Sequence, residues 1–376
     1  MLFELIVLFL FSLAFLFLAR KVAKKIGLVD KPNFRKKHLG VIPLVGGISI
    51  YASLVYLFFV SEFFRQIPDI RIYLLLAGLL VLVGAIDDRF DISVKLRATV
   101  QAFVAVCMIY FAGLSLMTFG SLLGSFEVKL GFIGYLLTLF AVWGAINAFN
   151  MVDGIDGLLG GLSCVTFAAL ALVFSLAPGN PHYTLWALAM IVATIPYILL
   201  NLGLLGRKFK VFMGDAGSTL IGFTAIWMLL VASQPFANIE PAQCCQLKTF
   251  ISPVTALWFI AIPLMDMIAI MYRRIKKGLS PFSADRQHIH HLMLRAGFSS
   301  RQAFVLITLS AALLAVIGII GQLLISYMKM PEWIMLILFL FFFSLYGYCI
   351  KRAWKVARMI RRFKRRINKN KKIESH

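Results

Sequence analysis

The sequence predicts an all-α, polytopic membrane protein with about eleven transmembrane helices. Three observations lead there. Of 376 residues, 61% are hydrophobic and only 14% charged, with a mean hydropathy of +0.90; a soluble domain needs more polar surface. Apolar runs of about 17 to 25 residues recur along the chain, the length that crosses a hydrocarbon core of roughly 30 Å. Lipid supplies no partners for backbone N–H and C=O groups, so open sheets are excluded and the runs are read as helices.

The runs place spans near 1–19, 46–64, 72–86, 97–117, 130–150, 157–176, 184–202, 216–232, 253–272, 303–325 and 333–350. The first is not expected to be a cleaved signal peptide, because its basic segment "RKVAKK" follows the apolar run. Residues 1–350 read as one transmembrane domain and 351–376 as a basic cytoplasmic tail. Among the 38 lysines and arginines, only Arg65, Arg71, Lys129, Lys248 and Lys329 fall outside alternate connections and the tail. Positive residues gather on the cytoplasmic side, so the N-terminus is expected outside and the C-terminus inside. The net charge of +22 is therefore first a topology signal. The tail also suits anionic membrane lipids, whereas no aromatic-interleaved platform accompanies it and nucleic acid is not an expected partner. Cys107, Cys164 and Cys349 lie in spans, and Cys244 with Cys245 in an outer connection, so no disulfide framework is expected.

Against this apolar background, polar motifs stand out. "DDRFD" (Asp87, Asp88, Asp91) closes the third span and "NAFNMVDGIDG" (Asn147, Asn150, Asp153, Asp156) the fifth. "VFMGDAGS" (Asp215) opens the eighth. "SPFSADRQHIHH" (Asp285, Arg286, His288, His290, His291) follows the ninth, and "FRKKHLGVIPLVGG" follows the first. All five are expected at one membrane face, the cytoplasmic one, which is the arrangement of a single site.

Each motif has a plainer alternative. Asp153 and Asp156 suit a helix start, but capping needs one carboxylate and leaves Asn147 and Asn150 without a role; a three-residue step instead keeps neighbouring side chains on one face. "DDRFD" is either a set of hard oxygen donors for Mg²⁺, an ion that commonly bridges carboxylates and substrate phosphates, or a hydrated turn with Arg89 as counter-charge. "FMGDAGS" surrounds a carboxylate with small residues that admit a bulky ligand; it lacks the lysine of a phosphate-binding P-loop. Three of six histidines lie within 288–291, without the spacing of a zinc helix, and beside Arg286 they suit a phosphate. Asp266, in "PLMDM", is expected to be paired within the bundle. A transporter is the rival class; its sites lie near the bilayer midplane on broken helices, whereas nearly all these carboxylates sit at helix ends.

As a set, in this order, "DDRFD", "NAFNMVDGIDGL", "VFMGDAGS" and "SPFSADRQHIHH" resemble the polyprenyl-phosphate N-acetylhexosamine-1-phosphate transferases, the MraY/WecA superfamily, over nearly the whole chain. "HIHH" and "RKKHLGVIPLVGG" look more like the WecA branch than the MraY branch, which carries a triple histidine and "TPTMGG". The resemblance implies an MraY-like fold in the bacterial inner membrane, with the site on the cytoplasmic face and a homodimeric assembly. It implies that UDP-GlcNAc and undecaprenyl phosphate give GlcNAc-diphospho-undecaprenol and UMP, with Mg²⁺ or Mn²⁺, at the start of O-antigen and enterobacterial common antigen synthesis. Related enzymes use other UDP-N-acetyl sugars.

Carried over by motif, Asp215 is implied as the principal metal ligand. Asp87 and Asp88 are implied in metal binding, catalysis and placement of the lipid phosphate. Asn150, Asp153 and Asp156 match the nucleotide-facing run, with Asp156 reading uracil and Phe212 stacking on the base. Arg286, His288, His290 and His291, with Asp285 beside them, match the motif that contacts diphosphate and sugar. Lys37, His38 and Arg274 are further substrate-binding candidates.

Overall fold

The computed structural model describes residues 2–31, 40–122, 124, 126–176, 181–234, 250–281 and 287–374, with side chains to Lys355. Helices are numbered α1 (Leu2–Ile26), α2 (Gly46–Val60), α3 (Glu62–Arg65), α4 (Ile70–Phe90), α5 (Val94–Ala112), α6 (Phe132–Val152), α7 (Leu158–Leu176) and α8 (Pro181–Asn201). They continue as α9 (Gly214–Ser233), α10 (Pro253–Phe259), α11 (Ala261–Lys276), α12 (Ile289–Ala296), α13 (Ser300–Met328) and α14 (Trp333–Glu374). Among the described residues, α1, α4, α5, α6, α7, α8, α9, α13 and α14 are long and apolar enough to cross a bilayer. The protein is all-α and polytopic.

Two expected spans take a different form. The run 253–272 is broken into α10 and α11, which meet at 87°. Pro263 explains the position of the break: inside a continuous helix its ring would meet the carbonyl of Phe259, four residues earlier. Interrupting the helix at Ile260 (φ −119°, ψ 23°) moves Pro263 into the first turn of α11, where no intrahelical donor is required. The run 46–64 is cut at Ser61, whose hydroxyl accepts the Phe64 N–H and starts α3; α2 alone has 15 residues, about 22 Å of helix. Outside the helices, β1 (Val29–Asp30) and β2 (Ile42–Pro43) form a short antiparallel pair.

α9 is the axis of the bundle, with its spanning stretch entirely buried, while α1 and α14 are largely exposed. Small residues permit this. A Cβ added to Gly47 of α2 would lie 2.1 Å from the Gly217 Cα, and one on Gly84 of α4 would lie 2.5 Å from the Ala216 Cα. Backbones that close leave no room for any side chain, and small-residue packing of this kind lets membrane helices approach. Far from the polar motifs the bundle is wedged by aromatics: Tyr73 lies against Trp186, Phe223 and Trp227, and its hydroxyl meets Thr224 at 2.6 Å.

Candidate active site

The N-terminus of α9 is where "DDRFD", "NAFNMVDGIDG" and "VFMGDAGS" meet. Gly214 adopts φ +76°, a region glycine enters without penalty, and this turn aims the Asp215 and Ala216 N–H groups at Asp88. They donate to Asp88 Oδ1 and Oδ2 at 2.8 and 3.4 Å, satisfying donors that a helix start leaves open. Asp88 thereby ties the end of α4 to the start of α9. One residue earlier on α4, Asp87 is buried; its Oδ1 accepts the Ile92 N–H at 2.9 Å and its Oδ2 the Arg97 guanidinium at 2.6 Å. Arg97 also lies 3.6 Å from Asp215 Oδ2. From α6, Asn150 donates to Asp215 Oδ1 at 2.6 Å and to Ser218 Oγ at 2.9 Å. Asp91 ends α4 in the left-handed conformation, exposed and outside this cluster.

A cavity of about 740 Å³ opens beside the cluster. Its polar wall includes Asp87, Arg97, Gln101, Asn147, Asn150, Asp215, Arg274 and His288; its apolar wall includes Leu80, Val83, Val94, Val100, Trp143 and Met271. Asn147 donates to Gln101 Oε1 at 3.2 Å. Such a chamber accommodates a ligand with one greasy and one highly polar part.

Asp156 lies on a neighbouring face. Its carboxylate is 2.6 Å from Lys210 Nζ, and that ammonium sits 5.3 Å from the Phe212 ring centre, close enough for cation–π attraction. The "GVIPLVGG" segment braces this wall: Val45 and Gly46 N–H groups donate to the Phe212 carbonyl, and Phe212 N–H donates to Pro43. Asp153 caps α6 and is exposed.

The histidines form a third group. His288 and His290 rings are nearly parallel with centres 5.5 Å apart, and His291 is 4.2 Å from His290. His290 is 1% exposed, and neither ring nitrogen has a hydrogen-bond partner. Burial, with His291 and His288 close by, pushes its pKa down to about 3. At physiological pH it is a neutral imidazole, which keeps one N–H donor. It faces Gly154, where a Cβ would lie 2.0 Å from Nε2, so the histidine turn abuts the nucleotide-side motif. Lys37, His38, Asp285 and Arg286 lie outside the described residues.

Two side chains were missed by the sequence reading. Arg97 and Lys210 were counted only as topology-setting charges, although each pairs with a singled-out aspartate. Asn201, which has an apparent counterpart in the MraY branch but lies farther from "FMGD" than that residue does, is buried; it takes the Gly157 N–H on its carbonyl and donates to the Val211 carbonyl at 2.8 Å.

Among the described residues no three Asp, Glu, His or Cys side chains are grouped as an ion site. The donor chemistry nevertheless suits a divalent cation: Asp87 and Asp215 both contact the single guanidinium of Arg97, two hard carboxylates for one positive charge.

Residues 70–233, which contain α4 to α9, match the family model described as glycosyl transferase family 4. A Yersinia pestis protein described as undecaprenyl-phosphate alpha-N-acetylglucosaminyl 1-phosphate transferase is 65% identical over 369 residues, covering 98% of this chain and 96% of the relative. Proteins with the same description from Escherichia coli (strain K12) and Pasteurella multocida (strain Pm70) are 62% and 49% identical, over 98% of this chain and 96% and 99% of their own lengths.

Proposed function

The chain belongs to glycosyl transferase family 4 with these relatives, and we propose that it transfers GlcNAc-1-phosphate from UDP-GlcNAc to undecaprenyl phosphate. The products are GlcNAc-diphospho-undecaprenol and UMP, the lipid intermediate on which O antigens and enterobacterial common antigen are begun. The observation that carries this reading is the meeting of Asp87, Asp88, Asn150 and Asp215 beside a cavity with one polar and one apolar wall. A polyprenyl phosphate needs both walls at once, and the description of nearly full-length relatives names undecaprenyl phosphate and the N-acetylglucosaminyl 1-phosphate group.

In the reaction an oxygen of the lipid phosphate attacks the sugar-bearing phosphorus, the bond from that phosphorus to the UMP oxygen breaks, and UMP departs. The nucleophile is already anionic near neutral pH, so a general base contributes modestly. Arg97 and Arg274 line the cavity and supply positive charge toward the phosphates. Asp88 fixes the backbone of Asp215 and so orients the site. Asp87, Asp88 and Asp215 would hold Mg²⁺ or Mn²⁺, which neutralises charge on phosphate oxygens and stabilises the leaving group. Asn150, Asp153, Asp156 and Phe212 face the nucleotide, with Asp156 reading uracil. His288, His290 and His291, with Asp285 and Arg286, serve diphosphate and sugar; Lys37 and His38 complete the substrate contacts. The site faces the cytoplasm, where UDP-GlcNAc is made, in the inner membrane, and the assembly is a homodimer.

Purified protein in detergent, offered a panel of UDP-N-acetyl sugars with undecaprenyl phosphate, tests the reading. UMP release from UDP-GlcNAc ahead of the other sugars is expected. Turnover of another sugar with none on UDP-GlcNAc overturns the substrate, and absence of UMP from every sugar overturns the reaction.

A further inference from the structure

Asp266 is a fully buried carboxylate in α11, outside the aspartate cluster. Burying such a group is costly unless its oxygens are satisfied, and here both are. Oδ2 meets His288 Nδ1 at 2.7 Å, while Oδ1 accepts the Ile289 N–H at 3.2 Å and the Tyr346 hydroxyl at 2.7 Å. The carboxylate therefore grips the histidine turn twice, once by the His288 ring and once by the first N–H of α12. Tyr346 comes from α14, a peripheral and mostly exposed helix, and its hydroxyl reaches into the bundle to Asp266.

Consider what this grip does to the ring. An ionised carboxylate only accepts, so the shared proton is on Nδ1. His288 also lines the cavity, which leaves Nε2 as the ring nitrogen available to a ligand. The His290 ring lies nearly parallel to that of His288, with centres 5.5 Å apart. We infer that Asp266, backed by Tyr346, is a positioning residue: it holds His288 by Nδ1 and presents Nε2 to the phosphate or sugar in the cavity. The same logic operates wherever a carboxylate fixes the tautomer of a working histidine through its second nitrogen. The inference rests on the transferase reading for what His288 contacts, and on the structure alone for how it is held.

Two measurements on the full-length protein in detergent test it, with Asp266→Asn and Tyr346→Phe compared with wild type. In steady-state UMP release, Asp266→Asn is expected to lower kcat roughly 10- to 100-fold with little change in KM for UDP-GlcNAc, and Tyr346→Phe to do the same more weakly. In ¹⁵N-histidine NMR at about pH 8, His288 is expected to be the Nδ1–H tautomer in wild type and a mixture in Asp266→Asn. The His288 signal is assigned by its loss in His288→Gln. Tyr346→Phe removes one hydroxyl and keeps the test readable if Asp266→Asn fails to fold. An unchanged tautomer in a folded variant, or a rise in KM with kcat preserved, overturns the positioning role. Because the NMR arm needs no turnover, a wild type that releases no UMP strikes the transferase reading and leaves the grip on His288 separately tested.

Discussion

Replacing Gly214 with alanine perturbs the joint on which the site is built. The residue sits at φ +76°, and the added Cβ would fall 2.3 Å from Asp88 Oδ2. The left-handed backbone costs an alanine about 1–2 kcal/mol. The contact must also be relieved, either by moving Asp88 off the Asp215 and Ala216 N–H groups or by moving the α9 terminus. Leaving a buried hydrogen-bonding group unsatisfied costs roughly 1–3 kcal/mol, and the 3.4 Å bond to Ala216 belongs at or below the weak end. Together the local penalty is about 3–5 kcal/mol, and it falls on the orientation of Asp215. At 1.36 kcal/mol per decade, a loss of turnover of at least roughly 100-fold is expected, read as UMP release with both substrates saturating. Gly278→Ala is the control: it has φ +70° and nothing within 4 Å of an added Cβ, so it carries the strain without the clash and is expected to stay within several-fold of wild type. Wild-type turnover by folded Gly214→Ala would refute the dependence of Asp215 on the Asp88 contact.

Arg97→Gln strands the buried Asp87 carboxylate; with one third of the Arg97 side chain exposed, the cost is about 1–3 kcal/mol. A lower thermal unfolding midpoint in detergent is expected, and an unchanged midpoint contradicts the pairing. Asp156→Ala frees Lys210 and is expected to weaken UDP-GlcNAc binding roughly tenfold by calorimetry; loss of turnover with binding intact contradicts the nucleotide role. His290 has a folded pKa of about 3 against about 6.5 unfolded, so below pH 6.5 the unfolded chain binds the extra proton. Its contribution is complete above that pH and declines as pH falls toward 3. Midpoints measured from pH 4 to 7 are expected to rise less steeply with pH in His290→Gln than in wild type, and equal slopes contradict the buried neutral ring.

Much of this was legible because the chain is so apolar: aspartates and asparagines at span ends have few innocent explanations in lipid. The meeting of Asp87, Asp88, Asn150 and Asp215 followed from where their motifs lie along the spans. Asp266 was expected to be paired, and it is. What escaped notice has physical reasons. Arg97 and Lys210 are cations at helix ends, and the same residues set topology, so their sequence carries one signal for two jobs. The break at Ile260 depends on a single proline, Pro263, within a run whose hydropathy reads straight through it. Composition reports the His290 imidazole and not its burial, which packing beside Gly154, His288 and His291 supplies.

The central claim is that Asp215 anchors one shared centre for both substrates. The most direct measurement is the parallel yield of UMP and GlcNAc-diphospho-undecaprenol from wild type and Asp215→Asn, with Mg²⁺ present and after chelation. The account predicts equal amounts of both products from wild type with Mg²⁺, none after chelation, and none from a folded Asp215→Asn protein, whose amide can still accept from Asn150. Substantial Mg²⁺-dependent product from Asp215→Asn would contradict it.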